Sequence, residues 1–344
     1  MTSPRQPRLA MVLGMHRSGT SLVSRGLKVF GFEHGERLMR NSDNAKGHWE
    51  DLDLVACNDA LLAAIGKQWY ALTPLSPDEH RTLLHSPHKA AAQELITAKL
   101  ALQPSLAFKD PRSSLLLPFW HAVVQELGLQ PTLVLAVRKP IEVANSLLQR
   151  DGYPLQRGLL LWLHYNIAVL QAVHKLELTC WVVDYNQLLQ QPQQELKQLG
   201  THMRTTVDNE ELLQFCDTFL DASLNHHAQA DSIDQQNTIG TLTNKLYALL
   251  QRHHENGQVT CSAQSNADLQ TITKAWQELT PLLQLCDLEF ATIGTARQDA
   301  LQARAELAAV RAEIDKLYAS TSWQLTQPLR SIKDWLKQQG HHQA

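Results

Sequence analysis

The sequence has no excess of either charge. Its 344 residues include 31 Lys and Arg against 34 Asp and Glu, a formal net charge of −3. A nucleic-acid-binding chain usually carries a strong basic excess, so that class of partner is not expected. Cysteine is scarce and odd in number: Cys57, Cys180, Cys216, Cys261 and Cys286. No CxxC pair occurs, so neither a zinc site nor a disulfide framework is indicated, and no metal is expected. Buried, reduced thiols in a cytosolic protein are the expectation. Long apolar runs are missing too. Leu9 to Leu13 is too short for a signal segment, and no later stretch reaches the roughly 18 apolar residues that a membrane span needs. Leu159 to Val173 is apolar but interrupted by His164, Asn166 and Gln171, and reads as a core helix. A cytoplasmic protein without a membrane span is therefore expected. What the chain does have is hydrophobic content, 44%, enough for one sizeable core with additions.

The N-terminal pattern is a short continuous apolar strand (Leu9 to Met15), a small-residue turn (Gly14 to Ser21) and a helix (Leu22 to Phe30) ended by Gly31. Further strands are predicted at Leu106 to Lys109, Thr132 to Val137 and Cys180 to Val183. Helical patterns occupy Leu52 to Ile65, Leu115 to Leu127, Pro140 through Leu148, Leu159 to His174 and Gln193 to Met203. Such alternation predicts an α/β fold, a P-loop-like three-layer sandwich around a mostly parallel sheet, with a helical C-terminal extension. The catalytic domain is assigned to 8–225, a linker and helical extension to 226–292, a coiled-coil-like helix to 293–318 and an amphipathic tail to 319–344. Asn225 to Thr241 is polar and reads as a loop. Leu242, Leu246, Leu249 and Leu250 share one helix face; Leu269, Ile272, Trp276, Leu279, Leu283 and Cys286 share another. Ala296, Ala300, Ala303, Leu307, Val310, Ile314 and Leu317 then fall at alternating steps of three and four. Pairing of chains to a homo-oligomer through this helix and packing on its own domain are both compatible with that pattern.

Two stretches carry anion chemistry. Gly14-Met15-His16-Arg17-Ser18-Gly19-Thr20-Ser21 has Walker A spacing, with glycines that let main-chain amides approach a phosphate. A nucleotide triphosphatase places lysine after the second glycine. Here that residue is Thr20, and the cation is Arg17, three positions earlier, where a planar guanidinium suits an oxyanion. The second stretch, Val134 to Pro140, ends a strand in Arg138, and Ser146 lies about two turns into the following helix. Ligands bind at the C-terminal edge of open α/β sheets, so Arg138 and Ser146 are placed to converge on one anion. The bland readings are a tight turn with a surface arginine and a helix-start salt bridge.

Both stretches resemble the donor-binding motifs of sulfotransferases that use 3′-phosphoadenosine 5′-phosphosulfate (PAPS), and of the bacterial and Golgi-type branch in particular. The resemblance covers roughly residues 8–220. It implies that Arg17, Ser18, Gly19, Thr20 and Ser21 contact the 5′-phosphosulfate, that Arg138 and Ser146 hold the 3′-phosphate, and that Tyr185, in Val183-Asp184-Tyr185, lies near the donor pocket. It implies no metal, and PAPS as co-substrate with adenosine 3′,5′-bisphosphate as product. The late Arg-Lys-Gly loop of the cytosolic branch is absent; a segment within Asn225 to Thr241 is the candidate replacement.

Sulfonyl transfer needs a base for the acceptor proton and a cation for the leaving phosphate. Gly47-His48-Trp49-Glu50-Asp51 offers Glu50, which the resemblance favours as the base, and His48, suited by its neutral imidazole. Asp51 reads equally as an N-cap. Lys109, in Phe108-Lys109-Asp110-Pro111-Arg112, matches the Lys-x-Pro of Golgi-type sulfotransferases and is a candidate for the acceptor site. Asp110 and Arg112 fit a structural ion pair as well as a functional role. The tail Ser320 to Arg330 is similar to a C-terminal element of bacterial surface-glycan glycosyltransferases, which suggests a saccharide acceptor. The competing readings are a P-loop kinase or nucleotide hydrolase, and a non-catalytic scaffold that kept the fold.

Overall fold

The computed structural model describes residues 7–39, 47–220, 237–321 and 323. Most of the Asn225 to Thr241 stretch, and the tail beyond Trp323, lie outside the described residues. Four parallel strands, β1 (Arg8–Leu13), β2 (Ser105–Lys109), β3 (Thr132–Val137) and β4 (Cys180–Asp184), form one sheet in the order β2-β1-β3-β4. Their register pairs Val12 with Lys109, Leu13 with Leu135, and Val137 with Asp184. The C-terminal ends of the four strands therefore lie along one edge.

Around the sheet run α1 (Thr20–Gly26), α2 (Leu52–Ala64), α3 (Pro77–Leu84), α4 (Pro87–Leu102), α5 (Leu117–Glu126), α6 (Pro140–Asp151), α7 (Leu155–Lys175), α8 (Tyr185–Gln190), α9 (Pro192–His202), α10 (Asn209–Gln214), α11 (Thr238–Glu255), α12 (Ala263–Glu278) and α13 (Thr280–Ala319). Strand side chains alternate between the faces. On one face Ala10, Val12, Ala107, Val134, Ala136 and Val183 pack with Val23, Leu27, Phe30, Leu196 and Phe215. On the other, Leu9, Met11, Leu13, Phe108, Leu133 and Leu135 are buried, with the Phe108 ring 4.8 Å from Trp120 of α5. Burial on both faces explains why the strands read as continuous apolar runs rather than alternating ones. Each fully buried large side chain contributes about 1.5–3 kcal/mol. The three-layer α/β expectation holds.

Boundaries shift where local chemistry intervenes. The helix expected from Leu22 starts at Thr20 and tightens into a 3₁₀ turn over Leu27–Phe30. The helix expected over Leu115 to Leu127 is a 3₁₀ turn, Pro111–Ser114, followed by α5, because Asp110 caps the turn and Pro118 sits at the start of the helix. Asn237 caps α11 through Gly240 N, so Thr238 to Thr241 is helical rather than loop. Helices α3 and α4 were not anticipated, although Ser76 and Glu79 form a capping box around Pro77. The thiol expectation also needs correction: of the five free cysteines, Cys180 is buried, Cys57, Cys216 and Cys286 are half-buried, and Cys261 is exposed.

The chain divides into two compact units, Met1–Gln284 and Leu285–Ala344. The second is built on α13, along which Ile293, Leu307, Val310 and Ile314 are exposed. Among the described residues no helix is long and apolar enough to cross a membrane.

Candidate active site

The strand order sets the location. From β1 the chain crosses to β2 on one side and then to β3 on the other, which opens a crevice beyond the C-terminal ends of β1 and β3. The turn after β1 enters that crevice. Gly14, Arg17 and Gly19 have φ of 132°, 68° and 86°. A side chain at Gly14 would meet the carbonyl oxygen of Ala136 at 2.6 Å, and one at Gly19 would run into the Tyr185 ring. The left-handed backbone at Arg17 costs about 1–2 kcal/mol in a residue with a Cβ. It turns the guanidinium so that Nε donates to Ser146 Oγ at 2.7 Å. The two anion motifs, 129 residues apart in sequence, are thus joined directly. Ser114 Oγ accepts from Gly14 N at 2.8 Å and donates to Gly14 O at 3.2 Å, anchoring the turn from the β2 side. Sequence reading missed Ser114; nothing in its neighbourhood signals that role.

Arg138 leaves β3 and is nearly enclosed. Its Nε donates to Glu142 Oε2 at 2.8 Å, its Nη1 donates to Arg17 O at 3.3 Å, and its guanidinium lies 4.3 Å from the Tyr185 ring centre. The helix-start salt bridge and the anion clamp are therefore not exclusive: Glu142 holds one edge of the fork. The buried Nη2 of Arg138, Oγ of Ser18 and Nε2 of His16 have no hydrogen-bond partner among the described residues. A buried polar atom without a partner costs about 1–3 kcal/mol. Three of them around one turn fit an oxygen-rich anion. Burial, with Arg112 next in weight, holds His16 well below the ordinary imidazole range. Its ring is therefore neutral at pH 7. Burial raises the Tyr185 phenol above its ordinary value, so it stays protonated.

On the β2 side, Lys109 Nζ donates to Glu50 Oε1, to His48 O at 2.9 Å and to Ser21 Oγ at 3.4 Å. Ser21 Oγ donates to His48 O at 3.1 Å. The three protons of an ammonium are thereby all engaged. This network joins the turn, the 47–51 segment and the end of β2. His48 enters it through its main-chain carbonyl. Asp51 caps α2 through Asp53 N and Leu54 N and pairs with Lys99 at 2.7 Å, so it is structural. Asp110 is fully buried and takes hydrogen bonds from Asn58 at 2.8 Å and from Arg112 N at 3.0 Å, while Arg112 pairs with Asp110 and Asp59. The Asp110–Arg112 ion pair exists; desolvation pushes the Asp110 carboxyl up against it. Thr20 and Ser18 are buried at the start of α1.

Beside the turn stands an aromatic group that sequence reading did not assemble. The His16 ring lies 4.5 Å from Trp69. Trp69 lies 5.6 Å from Tyr70 and 5.9 Å from Tyr153. Arg150 stands 5.5 Å over Trp69, and Arg157 5.8 Å over Tyr153. The adjacent Trp69-Tyr70, in a chain with only 6% aromatic residues, was the available signal.

No family model matches the chain, and no curated protein does. Among solved structures, the chain is similar to a sulfotransferase domain from the curacin biosynthetic pathway, at 18% identity over 61% of this chain and 78% of that one, with a TM-score of 0.35. It is also similar to a sulfotransferase domain from the Synechococcus PCC 7002 olefin synthase, at 17% identity over 80% of this chain and 98% of that one, with a TM-score of 0.38. By its own topology the chain is an α/β protein with a parallel sheet and a glycine-bearing turn after its first strand.

Proposed function

We propose that this chain is a sulfotransferase that takes a sulfonyl group from PAPS and places it on an acceptor hydroxyl. The observation that carries the reading is the Arg17–Ser146 hydrogen bond ringed by the partnerless polar atoms of Ser18, Arg138 and His16. One guanidinium nitrogen, one hydroxyl and one imidazole nitrogen without partners, at a sheet's C-terminal edge, suit a ligand rich in oxyanions. Arg17, Ser18, Thr20, Ser21 and the Gly19 main chain would hold the 5′ end of the donor. Arg138 and Ser146 would hold the 3′-phosphate, with Tyr185 against Arg138.

The donor, when bound, supplies an activated sulfur. Glu50 accepts the proton of the acceptor hydroxyl as that oxygen bonds to sulfur. Lys109, hydrogen-bonded to Glu50, supplies positive charge beside it. Arg17 neutralises the charge that builds on the phosphate oxygen as its bond to sulfur breaks. His48 is the rival base, and comparing Glu50→Gln with His48→Ala separates the two. We propose a saccharide as the acceptor. Trp69, Tyr70 and Tyr153 offer rings for the apolar face of a sugar; Arg150, paired with Asp151, and Arg157, which donates to Tyr70 O, stand against those rings.

Calorimetry with adenosine 3′,5′-bisphosphate tests the donor reading. The wild type should bind, and Arg138→Ala with Ser146→Ala should bind at least about tenfold more weakly. No binding by a folded wild type would sink the proposal. Incubation with labelled donor and a panel of glycans, peptides and small alcohols tests the acceptor; labelling of peptides alone would remove the saccharide.

A further inference from the structure

The heptad row of α13 has an unambiguous phase. The step from Ile293 to Ala296 is three and the next, to Ala300, is four. Ile293, Ala300, Leu307 and Ile314 therefore occupy a positions, and Ala296, Ala303, Val310 and Leu317 occupy d positions. The helix is continuous over Thr280–Ala319, and Ile293, Leu307, Val310 and Ile314 are exposed, Leu307 by 68%. A row of large apolar side chains standing in water favours a partner helix that covers it.

The flanking positions say which partner. The g positions hold Asp299, Glu306 and Glu313; the e positions hold Arg297, Arg304 and Arg311. Every charged g residue is acidic, and every charged e residue is basic. In a parallel, in-register pair of helices, a g residue faces the e residue of the next heptad on the other chain. Two copies of this helix would set Asp299 against Arg304 and Glu306 against Arg311, and each contact would occur twice by symmetry. In an antiparallel pair, g faces g and e faces e, which would bring carboxylates to carboxylates and guanidinium groups to guanidinium groups. Ile314 at a with Leu317 at d favours two strands, while Leu307 at a with Val310 at d does not, so the choice of a pair rests on the charged rows.

We infer that α13 pairs with α13 of a second copy of this chain as a parallel, in-register coiled coil over residues 293–317. Apolar burial is concentrated in the Leu307 to Leu317 half, where the core positions carry large side chains. The alanines before it add little burial and let the helices approach closely. The charged rows select orientation and register more than they add affinity. The inference is independent of the chemistry assigned to the first unit.

Sedimentation of the full chain should give twice the monomer mass, dissociating on dilution. A single chain mass at every concentration would overturn the inference. The triple variant Arg297→Glu, Arg304→Glu, Arg311→Glu should sediment as a monomer, and so should Asp299→Lys, Glu306→Lys, Glu313→Lys. An equimolar mixture of the two should return to the doubled mass. Failure of the mixture to pair, with both variants helical by circular dichroism, would refute the parallel register. Leu307→Cys gives a second reading. Mild oxidation should convert it to a covalent dimer on a non-reducing gel, well beyond any formed by the parent chain, because position 307 meets itself in register. Dimers in sedimentation without this cross-link would mean another orientation.

Discussion

Arg17 combines a strained main chain with a tethered side chain. Its φ of 68° is unfavourable for a residue with a Cβ, and strain of this kind concentrates where ligands are held. Replacing Arg17 with Ala removes the cation and leaves the strain. Turnover should fall by about 10³-fold or more while circular dichroism and the unfolding midpoint stay close to wild type. A variant with normal activity would dismiss the assignment. Glu50 and His48 compete for the base, and their surroundings differ: Glu50 is ion-paired to Lys109, while His48 lends its carbonyl oxygen to the same lysine. Glu50→Gln should cut kcat by about 10²–10⁴-fold with little change in donor affinity. If His48→Ala is the crippled variant instead, the base is His48.

At the scale of the element, the turn between β1 and α1 depends on what its neighbours leave room for. Gly19 faces the Tyr185 ring at the start of α8, and its φ is 86°. Gly19→Ala should push that ring aside, cost about 1–3 kcal/mol in urea unfolding, and weaken adenosine 3′,5′-bisphosphate binding along with it. A fully stable variant with unchanged binding would mean that Tyr185 does not matter to the pocket. This turn was readable from the chain because its requirement is local: an apolar strand, glycines where the backbone must turn, and hydroxyls at the helix start. Helix α3 was equally readable from Ser76, Pro77 and Glu79. The split near Leu115 was not, since it depends on Asp110 capping a turn that the apolar periodicity runs straight across.

For the molecule as a whole, buried histidines link folding to pH. His34 is buried, with Nε2 2.8 Å from Ser24 Oγ, and desolvation, helped by Lys28, lowers its pKa to about 4. Desolvation and Arg252 lower His253 to about 4 as well. An unfolded histidine titrates near 6.5, so the unfolded chain takes up these protons first. Their contribution to stability is complete above pH about 6.5 and is lost as pH falls toward about 4. Relative to a His34→Gln variant, the wild type should lose about 1.4 kcal/mol more per pH unit across that window. Parallel pH profiles for the two proteins, from urea unfolding, would remove His34 from this account.

The strands, the glycine-bearing turn and the cations at the strand ends are legible in the chain, because each follows from a few consecutive residues and their burial. It takes the folded chain to show that Arg17 bonds Ser146, that Lys109 gathers Glu50, the His48 carbonyl and Ser21, and that Trp69 stands against His16. Those partners lie tens to more than a hundred residues apart. They meet because the sheet runs β2-β1-β3-β4, and strand order comes from how helices pack across both faces, which no local pattern of apolar residues encodes.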